Sequence, residues 1–182
     1  DANGNKDLAF GPDNTGTITF DRFFGDGYPT NDSLGDMLSL SDGRILILGV
    51  GTLAMLNAGG TALDTGSAGG AGYIGVFGKY ALAEQTDHKI LVAGYAPRGD
   101  GYLDMAVQRF LPDLTPDPDF GTNGSASLIF NLGQASSIAN SVAVQSNGNI
   151  VIAGYVAFTA QPGKSVGIAR MLPNGQPDPA FN

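Results

Sequence analysis

Three short segments of the chain repeat one pattern, and that pattern restricts the fold more than any other feature. They are Asp42-Gly43-Arg44-Ile45-Leu46-Ile47-Leu48-Gly49, Asp87-His88-Lys89-Ile90-Leu91-Val92-Ala93-Gly94 and Asn147-Gly148-Asn149-Ile150-Val151-Ile152-Ala153-Gly154. Each opens on a turn dipeptide, runs through four apolar residues and closes on a glycine: Gly49, Gly94 or Gly154. A second strand-like stretch precedes each turn, at 36–40, 80–84 and 141–145. Asp-Gly or Asn-Gly between apolar runs signals a β-hairpin, because the two-residue type I′ turn needs positive φ at both central positions. His88 replaces the glycine in the middle copy, so a different turn type is expected there. Composition agrees: of 17 acidic residues, Glu84 alone is not Asp, and Gly occurs 28 times. Asp and Gly serve turns, whereas helical surfaces favour Glu and Lys.

A second landmark keeps step with the hairpins. Asp7-Leu8-Ala9-Phe10, Asp64-Thr65-Gly66-Ser67, Asp117-Pro118-Asp119-Phe120 and Asp178-Pro179-Ala180-Phe181 begin 57, 53 and 61 residues apart. A period of this size marks repeated supersecondary units. It divides the single domain 1–182 into repeats at about 7–63, 64–116 and 117–182. Arg109 and Arg170 each stand eight residues before a landmark aspartate, Asp117 and Asp178. The planar guanidinium fork suits a turn carboxylate, and a residue repeated once per unit serves packing rather than a ligand. The first copy lacks both this Arg and the Pro that follows in the others.

The segments Lys89–Tyr95, Asn149–Tyr155, Ala169–Leu172 and Asp117–Gly121 together resemble the delta-60 repeat family. The likeness is good over residues 71–182 and degraded over 1–70, where Val50 and Ser67 replace the family's Tyr and Phe. The resemblance implies propeller-like repeats in secreted or surface-attached bacterial proteins, with no common activity. Four strands are expected per repeat: 17–21, 36–40, 44–50 and 52–57; then 74–78, 80–84, 89–95 and 105–111; then 127–131, 140–145, 149–155 and 166–172. The expected fold is therefore all-β, with three four-stranded antiparallel, blade-like repeats; a β-sandwich of the same strands is the alternative. Propellers typically close with about four to eight blades. Three blades form a partial ring with two open apolar faces. The expected partners are a second copy of the chain, closing a six-bladed ring, or further blades of a longer chain.

Charge and composition narrow the function. Nine Lys plus Arg against 17 acids give a formal net charge of −8, so nucleic acid is not an expected partner. No apolar run is long enough to span a bilayer, and no signal peptide is read within the chain. The chain has no Cys, which removes thiol chemistry and thiolate metal sites. His88 is the only histidine and stands in a turn, so no catalytic residue is assigned. No cofactor is expected; a loop calcium held by Asp oxygens, from Asp113, Asp117 and Asp119 or from Asp100 and Asp104, is the one metal left open. Arg98 and Asp100 flank Gly99 in a loop and could present an opposite-charge pair. Phe23, Phe24 and Tyr28, beside Phe20, cluster where the repeat pattern does not demand aromatics, which marks a candidate contact surface. The glycine-rich stretch 66–72 lacks the Lys and helix of a phosphate loop and is read as a linker.

The expected function is a non-catalytic extracellular or cell-surface module for protein or glycan contact. The alternative is a propeller-type enzyme or ligand-binding domain with an axial pocket.

Overall fold

The computed structural model describes residues 2–18, 33–49, 51–76, 78–130, 135–159 and 163–181. Eleven strands are defined there: β1 (Leu34–Ser39), β2 (Ile45–Gly49), β3 (Thr52–Leu56), β4 (Tyr73–Gly75), β5 (Lys79–Glu84), β6 (Ile90–Pro97), β7 (Leu103–Phe110), β8 (Ser125–Leu128), β9 (Ala135–Val144), β10 (Ile150–Phe158) and β11 (Lys164–Met171). They form three antiparallel meanders, ordered β1-β2-β3-β4, β5-β6-β7-β8 and β11-β10-β9. The only helical element among the described residues is a 3-10 turn at Ala68–Gly70. The fold is all-β, as the hairpin pattern predicts. The chain forms two compact units, Asp1–Val76 with the first sheet and Phe77–Asn182 with the second and third.

The recurring turn is not the two-residue type expected. Leu40 N–H donates to Arg44 O at 2.8 Å and Gly43 N–H to Leu40 O at 2.9 Å; Gln85 with Lys89 and His88, and Gln145 with Asn149 and Gly148, repeat both bonds. This is a three-residue loop in which only the last position is left-handed: Gly43 at φ 90°, His88 at 65° and Gly148 at 84°. Asp42, Asp87 and Asn147 instead accept the N–H two residues on. His88 therefore takes the same turn as the two glycines, at some backbone strain.

A bulge follows in every first strand. Register slips between Leu34 and Asp36, between Lys79 and Ala81, and opposite Ala153/Gly154. The partner at each slip is the repeat's closing glycine: Gly49, Gly94 or Gly154. The extra residue crowds the backbone there, and a Cβ on Gly154 would collide with Ile138 O.

The fourth strand lies on the opposite side of each unit from the expected one. Tyr73–Gly75 pairs with β3, and Ser125–Leu128 with β7, so each strand after a landmark completes the sheet before it. The landmark reverses the chain: Gly121 and Gly124 have φ of 54° and 80°, and Gly124 N–H donates to Phe120 O at 3.0 Å. Of the strand expected at 17–21, all but the first two residues lie outside the described residues. The third sheet has three strands among the described residues.

Within the second unit, β9 packs across β5, β6 and β7. Ala81, Leu91, Ala93, Met105, Val107 and Leu128 from one sheet meet Ala139, Ile150, Ile152 and Met171 from the other. These residues alternate along their strands, as a two-residue side-chain period requires. Ser137 Oγ accepts the Met105 N–H at 2.9 Å across the same joint.

Candidate functional site

The best-built polar feature of the chain is the corner formed at each landmark. Asp117 Oδ1 accepts the Asp119 N–H at 3.0 Å, and its Oδ2 receives Arg109 Nε at 2.8 Å. Lys89 Nζ lies 3.2 Å from the same oxygen. Both Arg109 and Asp117 are buried, and the guanidinium stacks 4.6 Å above the Phe120 ring. Burial alone would push the Asp117 carboxyl up, but the Asp119 N–H, Lys89 and Arg109 hold it below the ordinary carboxylate range.

The last repeat rebuilds this corner. Asp178 accepts the Ala180 N–H at 2.9 Å and Arg170 Nε at 2.6 Å, with Asn149 Nδ2 at 3.2 Å in place of Lys89. Arg170 stacks 4.8 Å above Phe181. The Ala180 N–H first, then Arg170, lowers the Asp178 carboxyl. The first repeat, which lacks the strand arginine, recruits another: Arg44 Nη1 reaches Asp64 Oδ2 at 3.0 Å, beside Ser67 Oγ at 2.7 Å. Arg44 occupies the position of Lys89 and Asn149, while Met55 occupies that of Arg109 and Arg170. The signal in the sequence is that positions 44, 89 and 149 all carry a nitrogen donor. Asp7 keeps the turn as well, accepting the Ala9 N–H at 3.0 Å.

Arg98 and Asp100 come together in the β6–β7 turn. Arg98 Nε donates to Asp100 Oδ1 at 2.8 Å and Nη1 to Asp104 Oδ1 at 3.0 Å, while Nη2 lies 3.4 Å from Ala135 O. The guanidinium also sits 5.2 Å from the Tyr102 ring centre. Burial raises the Asp104 carboxyl, against the pull of Arg98. The guanidinium is thus held between its own blade and β9 of the third sheet, while the Asp100 carboxylate stays exposed at the turn. Phe20, Phe23, Phe24 and Tyr28 lie outside the described residues. His88 is exposed, with Nδ1 3.0 Å from Glu84 Oε1. Among the described residues no three His, Asp or Glu side chains gather as a metal site would need.

A cleft of about 410 Å³ opens at the hairpin-turn end of the second and third sheets, lined by Gln85, Lys89, Arg109, Asp119, Asn147 and Asn174 among others. Gln85 is buried there, and its Oε1 has no hydrogen-bond partner. Sequence reading did not single out this residue: Gln145 repeats it before the same turn, but the burial that leaves the Gln85 oxygen unpartnered has no mark in the sequence.

Residues 85–120 and 145–181 each match the model of a β-propeller domain of unknown function, DUF5122. Both stretches are propeller-type repeats. Each runs from the hairpin turn to the corner, Gln85 to Phe120 and Gln145 to Phe181, so the matched unit contains the turn, two strands and the Arg–Asp corner. The first repeat lies outside both matches. A crystal structure of a protein of unknown function from Bacteroides caccae is similar at 11% identity, covering 81% of this chain and 80% of that one, with a TM-score of 0.28. No curated protein matches the chain. Among the described residues no helix is long and apolar enough to cross a membrane.

Proposed function

We propose that the chain is a non-catalytic repeat module of the delta-60 kind, working outside the cell or on its surface through protein or glycan contact. One observation carries this reading: the charged groups best placed for chemistry are committed to the fold. Arg109 and Lys89 share Asp117 in a corner, with Asp87 also beside Lys89, Arg170 pairs with Asp178 and Arg44 with Asp64 elsewhere, and the sole histidine is an exposed turn residue. The low charge density and turn-rich composition fit a surface module. Glycan and surface-protein arrays probed with the whole chain are expected to yield saturable binding without substrate turnover. Turnover abolished by changing one polar residue sinks the reading.

A second reading rests on Gln85. An unpartnered buried oxygen costs about 1–3 kcal/mol; turning the Gln85 amide toward the cleft that this residue lines would let a ligand hydroxyl or N–H recover it. Titration with a panel of neutral sugars and polyols separates the two: binding lost in Gln85→Leu supports a small-ligand site, and silence across the panel removes it.

A further inference from the structure

The joint between the second and third sheets is a template for the surfaces left open elsewhere. Strand register aligns Leu91 with Val151, Ala93 with Ala153, Met105 with Val166, Val107 with Ile168, and Arg109 with Arg170. On the second sheet these apolar positions are fully buried beneath the third. On the third sheet Val166 is 81% and Ile168 52% exposed. Phe120 is 0% exposed and its counterpart Phe181 39%. Polar contacts follow the same asymmetry. Arg109 Nη1 donates to Pro173 O of the third sheet's turn, and Gly121 N–H to Asn174 O at 2.9 Å. Among the described residues no carbonyl fills the place of Pro173 O at Arg170.

The complementary half of that joint is also open. The third sheet covers the second with Ala139, Val142, Ile150 and Ile152, whose register counterparts in the first sheet are Leu34, Met37, Ile45 and Ile47. Leu34 is 63% and Met37 60% exposed, and both isoleucines are only half-buried. The turn carbonyl that would answer Pro173 O belongs to Ala58.

We propose that the outer face of the third sheet docks on the first sheet of a second copy of this chain, repeating between molecules the joint made inside the second unit. The two faces differ, so the contact is heterologous: two copies close on each other through two such joints, or the assembly grows. One slot is already filled. Gly60, the counterpart of Gly175, lies against the Phe10 ring as Gly175 lies against Phe120. Phe181 of the docking copy therefore finds no seat and moves aside, and the strand residues carry the contact.

Sedimentation velocity on the whole chain, from about 1 to 200 μM, tests this. The native chain is expected to associate. Val166→Asp with Ile168→Asp, or Met37→Asp alone, should weaken association about 30-fold or more, since each buries an unpaired carboxylate in the joint; all these side chains are exposed in the single chain, and circular dichroism checks that the sheets persist. Phe181→Ala should leave association within about twofold of native. Mixing the third-sheet variant with the first-sheet variant should restore a heterodimer, because each retains the face the other lacks. A native chain that stays monomeric at the top concentration overturns the proposal. Association that survives Met37→Asp, or a mixture that fails to pair, overturns the heterologous geometry.

Discussion

Each closing glycine of the repeat faces a β-bulge, and this explains why the apolar run stops where it does. At Gly154 an added methyl group would overlap Ile138 O and press on Ala139 Cα. Backbone cannot yield as a side-chain tip can, so Gly154→Ala should destabilise the protein by roughly 2 kcal/mol. Gly99, with nothing within 4 Å of its would-be Cβ and no left-handed φ, is the matching control. Gly99→Ala should stay within about 0.5 kcal/mol of native in urea unfolding. The left-handed turn position gives a prediction of opposite sign. His88 holds φ 65°, where its counterparts are glycines. His88→Gly should raise stability by roughly 0.5 kcal/mol, the relief of left-handed strain exceeding the added chain entropy and the lost Glu84 contact. A lower thermal midpoint in that variant would show that the Glu84 contact matters more than the turn.

At the scale of the element, the corner is the repeated device, and its charge chemistry sets the response to acid. Asp64, Asp117 and Asp178 all have carboxyls held below the ordinary value of 3.8. A folded pKa below the unfolded one means that the unfolded chain binds more protons in the interval between them. The stabilisation is therefore complete above that ordinary value and lost as pH falls through the folded values. Asp104 is shifted the other way, so its contribution grows as pH falls through its raised value. Thermal midpoints should hold or rise slightly on mild acidification and then drop steeply once the corners protonate. Asp117→Asn should flatten that drop and cost roughly 3 kcal/mol at neutral pH, because it strips the buried Arg109 of its counter-charge. Arg170→Met, at the more open last corner, should cost about 1 kcal/mol or less. Equal losses at the two sites in chemical denaturation would refute the idea that burial separates them.

The hairpins were legible in the sequence because a turn, an apolar run and a glycine all act within a few residues. The Arg–Asp spacing was legible for the same reason. The side on which the fourth strand pairs was not: Tyr73–Gly75 and Ser125–Leu128 carry no local mark telling them to complete the preceding sheet, and that choice is made by the corner's reversal of the chain. Arg44 was missed because its role depends on Asp64, twenty residues away, with Met55 where an arginine was expected. The bulge was equally hidden, since one extra residue in a strand leaves the period of the neighbouring pattern nearly intact.

For the whole molecule, two forces act on self-association with opposite sign. The exposed aliphatics of the first and third sheets favour it, and a formal charge of −8 on every copy opposes it. The local charges do not share the global sign: Lys164 lies 3.7 Å above the Tyr155 ring, and Arg170 stands on the same strand as Val166 and Ile168. The repulsion is therefore long-range, and salt screens it within a Debye length of about 8 Å at physiological ionic strength. The apolar contact is not weakened by the same salt. Raising salt from about 10 to 150 mM should thus tighten association several-fold, the reverse of the response expected for a joint held by ion pairs. The same linkage makes the thermal midpoint depend on concentration, because a partner that binds only the folded chain stabilises it. Scanning calorimetry over a hundredfold concentration range should move the native midpoint upward by a few degrees and leave Val166→Asp/Ile168→Asp unmoved. A native midpoint indifferent to both salt and concentration would mean that the aliphatic faces remain in water, and the repeat would then be stable without the neighbour its own internal joint prescribes.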